Sequence, residues 1–216
     1  MKTQLIITHP GNAHFDDVTA VSLILAVNAD TTFRIQRREP VAAELDNPQV
    51  WVLDIGDRHE PEKHNFDHHQ SLDSPASFVL VAEYLGLGET MSVMPWWRFK
   101  DEVDRFGPVQ ASVKYDAGDG LVNQNPVESW LVESFAARPE ECLPMLKAFG
   151  IHLIGEARTL KTQIDFWKTC PRLLIAGVPA IIGETRESAG LEEFRRLADD
   201  KPDIVRAIEM QTASFM

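Results

Sequence analysis

The chain has 216 residues, 44% of them hydrophobic, and sets 21 Lys and Arg against 33 Asp and Glu for a net charge of -12. That length makes one large domain or two small ones with enough apolar material for a core. The acidic balance excludes a protein that wraps long duplex nucleic acid, whose affinity comes mostly from Lys and Arg on phosphates. No apolar run approaches the roughly 20 residues that cross a bilayer, so no membrane partner is expected.

The two cysteines, Cys142 and Cys170, are too few for a disulfide framework or a thiolate zinc site and read as buried free thiols. The apolar run at Leu5-Ile6-Ile7 is too short for a signal peptide, and the expected location is cytoplasmic. That run predicts a buried strand that stops at the turn cluster Thr8-His9-Pro10-Gly11-Asn12. From Asp17 the apolar residues Val18, Val21, Leu23, Ile24, Leu25 and Val27 predict a long helix ending near 28–30. Asp16 or Asp17 then stands at its N-terminal end, where capping and the helix dipole both favour an acid. Phe33–Gln36 and Val50–Leu53 predict two more strands, the second running directly into Asp54-Ile55-Gly56.

This strand, loop, helix, strand rhythm predicts an α/β fold, a parallel sheet with crossover helices. The site of such a sheet lies at the carboxyl ends of its strands, where His9 and Asp54 stand. Farther on, helices are predicted over 77–86, 95–106, 126–137 and 139–168. Trp96 and Trp97 read as packing anchors, and Tyr115–Gly120 as a turn rather than a calcium loop. A two-strand ribbon about Gly177-Val178, a charged helix over 191–197 and a final strand or helix over 204–208 complete the chain. The expected division is a catalytic domain over 1–136 and a smaller, mainly helical or α+β part over 137–216.

Chemistry concentrates in the first third. Six of the seven histidines (9, 14, 59, 64, 68 and 69) lie there, among Asp16, Asp17, Asp54 and Asp67. Two clusters carry them, Thr8-His9-Pro10-Gly11-Asn12-Ala13-His14-Phe15-Asp16-Asp17 and His64-Asn65-Phe66-Asp67-His68-His69-Gln70. Imidazole nitrogens and carboxylate oxygens in such numbers are the inventory of a dinuclear site for hard or borderline divalent ions. Helix-capping acids and exposed histidines do not explain two clusters at two strand ends.

Asp67-His68-His69, preceded by an isolated Asp54 after a buried strand, resembles the DHH phosphoesterase superfamily. The composite Thr8-His9-x-Gly11-x-x-His14-x-Asp16-Asp17, Asp54-Ile55-Gly56 and His64-x-Phe66-Asp67-His68-His69-Gln70 resembles its melanocyte-proliferating-gene branch of metal-dependent exonucleases. Glu102-Val103-Asp104 falls on the later acidic motif of that branch, and the resemblance covers roughly the first 110 residues.

The resemblance implies a DHH-type sheet and two Mn²⁺ or Mg²⁺ ions held by His9, His14, Asp16, Asp54, His68 and Asp104. It implies catalytic roles for Asp67 and His69 and substrate contacts from His69, Asp17 and His64. The activity implied is hydrolysis of phosphate esters of nucleotides or short oligonucleotides by a metal-activated water. The rival readings are a pyrophosphatase-like hydrolase and a non-catalytic metal-binding regulatory module. Partners expected are a phosphate-bearing small molecule or short oligonucleotide, with a homodimer allowed.

Three departures mark the chain. His14 stands where the superfamily more often has Asp, Arg105-Phe106-Gly107-Pro108 replaces a continuation into Asp with Asn-Gly, and the Gly- and His-rich C-terminal signature is missing.

Overall fold

The computed structural model describes residues 3–116, 125–185, 190–197 and 206–207. It is an α/β fold with a mostly parallel central sheet flanked by helices, divided into two compact units, 1–92 with 96–154, and 93–95 with 155–216.

In the first unit, β1 (Thr3–Thr8), α1 (Phe15–Val27), β2 (Thr32–Arg37), α2 (Ala42–Leu45) and β3 (Val50–Leu53) follow in order. Then come β4 (His59–Glu60), a 3-10 turn (Pro61–Lys63), β5 (Asn65–Phe66), α3 (Ser77–Tyr84), α4 (Gly88–Met91), α5 (Trp97–Phe106), α6 (Pro108–Tyr115) and α7 (Pro126–Ala137). The sheet order is β2-β1-β3-β5-β4. β1 pairs in parallel with β2 and β3, β3 with β5, and only β4 runs antiparallel, against β5.

All four residues of β3 are buried, as a strand covered on both faces requires. α1 is apolar nearly all round and its residues 16–25 are all buried, the pattern of a helix enclosed by others. It packs against α3, α5 and α7. The long helix α8 (Leu143–Thr169) meets it at Gly150, where an added Cβ would stand 2.0 Å from the Ser22 carbonyl oxygen. Trp97 is buried and meets Phe78 edge to face with ring centroids 4.6 Å apart, so it is a packing residue as its setting in the sequence suggested.

The second unit contains the C-terminal half of α8, the antiparallel pair β6 (Arg172–Ile175) and β7 (Val178–Ile181), α9 (Leu191–Leu197) and β8 (Arg206–Ala207). Its core gathers Val93, Ile164, Trp167, Ile181, Leu191 and Phe194. β8 pairs in parallel with β7, which decides for strand at the position where the sequence allowed strand or helix. Both cysteines are free thiols. The expected turn over 115–120 falls mostly outside the described residues. Among the described residues no helix is long and apolar enough to cross a membrane.

Candidate metal centre

Three parallel strands deliver the site. β1 ends at Thr8 and is followed by His9, β3 ends at Leu53 and is followed by Asp54, and β5 ends at Phe66 and is followed by Asp67-His68-His69. Adjacent pairing aligns these three ends, with Thr8 opposite Leu53 and Leu53 opposite Phe66. The backbone N–H of Asp54 donates to the Phe66 carbonyl at 3.0 Å, which holds the two loop starts together.

Asp54 itself turns left-handed, with φ of 58°, a region that Asp tolerates better than most residues. Two residues later Gly56 has φ of 100°, and a Cβ there would lie 2.8 Å from Leu45 Cδ2. The Asp-Ile-Gly sequence is therefore a backbone device that stops β3 and turns the chain under α2.

The first turn of α1 supplies the second layer of acids. Asp17 accepts the His14 backbone N–H at 3.0 Å, and so caps its own helix. Asp16, one residue earlier and about 100° round the helix, faces elsewhere. It accepts the N–H groups of Phe78 at 2.5 Å and Ser77 at 3.3 Å, closing the start of α3. Ser77 Oγ donates to Asp54 at 3.3 Å.

These placements make three donor groups: His9, His14, Asp17 and Asp54; Asp54, His68 and His69; and Asp16, Asp54, His68 and Asp104. Within each, one nitrogen or carboxylate oxygen per residue lies within 4.8 Å of all the others. Asp54 belongs to all three. Asp104 reaches in from α5, and His68 Nε2 sits 3.0 Å from its carboxylate and 3.1 Å from that of Asp54. His9 Nε2 lies 2.8 Å from Asp17 and 3.6 Å from Asp54.

Close as they are, His9 Nε2, His68 Nε2 and Asp17 Oδ1 are buried with no hydrogen-bond partner among the described residues. Donor atoms about 3 Å apart that do not bond one another suit the edges of a coordination octahedron around an ion about 2.1 Å from each. An orphaned buried nitrogen is otherwise costly, by about 1–3 kcal/mol. The residues therefore fit divalent ions, and their mix of imidazole and carboxylate with no thiolate suits a borderline-to-hard metal.

The electrostatics tell the same story. The Asp17 carboxylate beside His9 raises its pKa to about 9 against the opposing effect of burial. Burial works against a charged His68, yet the Asp104 and Asp54 carboxylates lift it to about 10. Burial, followed by repulsion from Asp104, Asp54 and Asp17, pushes Asp16 well above the ordinary carboxylate value. Asp54 is raised as well, by burial first, with His68 pulling the other way. Carboxylates packed this densely call for compensating positive charge.

Asp67 does different work. It is 1% exposed and accepts the Asp57 N–H at 2.6 Å, the His69 N–H at 3.1 Å and His69 Nδ1 at 2.7 Å. It belongs to none of the donor groups and orients His69, whose side chain is 58% exposed at the rim. His64 also stands in none of them. Its ring stacks on Trp51 at 3.9 Å and its Nε2 meets the Tyr84 hydroxyl at 2.9 Å. Asp17 lies with His9, His14 and Asp54 in one candidate donor group.

Two clefts adjoin the centre. One, of about 540 Å³, is bounded by His14, Asp16 and Asp104 and by residues of α5 and α7. The other, of about 370 Å³, is bounded by Glu39, Asp54, Asp57, Asp67 and His69. Lys100, Asn125 and Ser129 line the first cleft. Sequence reading missed them, because a lone Lys on a helix and two polar residues at a helix start carry no distinguishing pattern.

Residues 5–75 match the family model MYG1_exonuc, described as Uncharacterised protein family (UPF0160). Over that segment the chain resembles this family. A MYG1 protein of Chlamydia trachomatis serovar D is 36% identical over 86 residues, which cover 38% of this chain and 28% of that relative. The matched residues 5–75 carry every donor of the three groups except Asp104. No solved structure matches the chain.

Proposed function

We propose that the protein is a metal-dependent phosphohydrolase that cleaves phosphate esters of nucleotides or short oligonucleotides, using two divalent ions, Mn²⁺ or Mg²⁺. The observation that carries this reading is Asp54, shared by donor groups that also contain unpaired, buried imidazole nitrogens. His9, His14 and Asp17 would hold one ion and Asp16, His68 and Asp104 the other, with Asp54 between them. When bound, the ions supply a water nucleophile near neutral pH and neutralise charge on the phosphoryl oxygens. The similarity to MYG1 proteins and the name of the matching family point the same way.

The chain's own groups do the rest. Asp67 accepts a hydrogen bond from His69 Nδ1–H and fixes the ring, leaving the unprotonated Nε2 to take a proton from the attacking water. Asp16 and Asp17 are anchored by backbone hydrogen bonds, so the carboxylates are positioned before substrate arrives. Burial of Asp54 and His68 keeps bulk water from competing for the same positions.

The test is hydrolysis by chelator-treated protein, with and without added Mn²⁺. The panel is bis-p-nitrophenyl phosphate, 5-mer RNA and DNA, and pyrophosphate. Mn²⁺-dependent turnover that is absent in His68→Ala is the expected result. Equal turnover by His68→Ala and wild type, or none on any substrate with two ions bound, overturns the proposal.

A further inference from the structure

We propose that the cleft between α5 and α7 holds the uncharged, ring-bearing part of an organic phosphate ester, a nucleoside in size and chemistry. It would thereby select such esters over inorganic pyrophosphate. The inference rests on the hydrolase reading above and names the substrate class for the same centre.

The cleft opens from the metal centre, with Asp16, Asp104 and His14 on its wall. A phosphate engaged there leaves whatever it carries only a short step from this space. Its volume of about 540 Å³ lies within the roughly 300–1,000 Å³ of small-molecule pockets, far more than a second phosphate needs. Much of the lining is apolar, from Phe15, Val103, Pro108 and Val132. Phe15 is held in place by Trp96, edge to face at 5.5 Å. A planar ring gains by covering such surface, whereas a phosphate does not.

Charge separates the two substrate classes further. Among the described residues of the lining, Lys100 is the one basic side chain apart from His14, and it is already paired. Its ammonium pairs with the Glu128 carboxylate and lies 4.8 Å from the centre of the Phe15 ring. A second phosphate entering here would face Asp16, Asp104 and Glu128 with no uncommitted cation from the lining residues. A neutral ring and sugar would meet hydrogen-bonding groups instead. Ser129 offers a hydroxyl, and Asn125, whose oxygen caps α7, adds amide N–H donors. The smaller cleft offers no such berth, since four carboxylates, Glu39, Asp54, Asp57 and Asp67, line it.

The experiment is calorimetric binding to the Mn²⁺-loaded full chain, using adenosine 5′-monophosphate, inorganic pyrophosphate and orthophosphate. Wild type is compared with Val132→Trp and Ser129→Trp, and Mn²⁺ stoichiometry serves as the control for folding. Ser129 is exposed, so its variant tests the cleft even if the bulkier change at Val132 prevents folding.

Wild type is expected to bind the nucleotide more tightly than pyrophosphate. Both variants should weaken nucleotide binding by about tenfold or more while leaving orthophosphate binding as it was. Unchanged nucleotide binding in a variant with normal Mn²⁺ stoichiometry overturns the inference, as does tighter pyrophosphate binding in wild type. Nucleotide binding through the cleft without hydrolysis of any ester would support this inference and sink the hydrolase reading. Ester hydrolysis with variants that bind nucleotide like wild type would do the reverse.

Discussion

The two ends of the candidate centre are built differently. The end formed by Asp16, His68 and Asp104 is enclosed: Asp16 closes the start of α3, and His68 is wedged between two carboxylates. The end formed by His9, His14 and Asp17 is open, with His14 exposed on the loop before α1 and its ring 5.0 Å from that of His9. Asp54 is common to both. Enclosure fixes donors at the cost of desolvating them, while an open end leaves room for exchange. On the two-ion proposal, the enclosed end is the tighter position and the open end the weaker one.

Asp54→Ala should strike both ends at once. We expect Mn²⁺ stoichiometry measured by calorimetry to fall from two towards zero, with the far-UV circular dichroism unchanged. Retention of two ions would remove Asp54 from the shared position.

Single-end changes sharpen the contrast. Asp104→Ala should abolish the tighter Mn²⁺ phase, because it strips the enclosed group and leaves buried His68 with less charge to balance it. His14→Ala should weaken only the looser phase, and raising Mn²⁺ should restore occupancy. The reverse assignment, with the tight phase lost in His14→Ala, would invert the comparison.

Asp67→Asn removes an orienting charge rather than a ligand. Outer partners of this kind typically change metal affinity or activity by about 10- to 100-fold. A smaller effect is therefore expected, chiefly on turnover, and it should be visible as a change in kcat with little change in Mn²⁺ stoichiometry. Loss of an ion in this variant would make Asp67 a ligand.

The smallest effect is on thermal stability. His9 and His68 have folded pKa values raised to about 9 and about 10. In the metal-free protein their charged pairing contributes stability that is complete below the unfolded value near 6.5 and is lost as pH rises through 9 and 10. Asp16 and Asp54, also raised, favour the folded state only while protonated, so their ionisation opposes folding above the ordinary carboxylate range. Both effects lower metal-free stability as pH increases. Tm measured with chelator and with Mn²⁺ should diverge between pH 6 and 8.5, and a narrowing gap would contradict the sign of these shifts.

Much of this was legible in the chain itself. Leu5-Ile6-Ile7 and Val50–Leu53 carry long enough apolar runs to declare buried strands, and each ends on a residue with metal chemistry. The helices over 77–84, 97–106 and 126–137 announce themselves by periodicity and by proline or glycine at their ends. β4 and β5 escaped notice because two-residue strands have no periodicity to read, although β5 delivers Asp67-His68-His69.

What sequence determined by itself was the inventory: which loops carry imidazoles and carboxylates, and that they follow strand ends. Only the tertiary structure decided how that inventory divides. Asp16 and Asp17 are neighbours in the chain, but the 100° step of a helix sends one to His68 and Asp104 and the other to His9 and His14. Asp104 joins because α5 packs on α1, and Asp54 is shared because a left-handed turn places it between them. His64, just before the DHH stretch, packs its ring on Trp51, a contact that chain order does not reveal because Trp51 comes from the neighbouring strand β3.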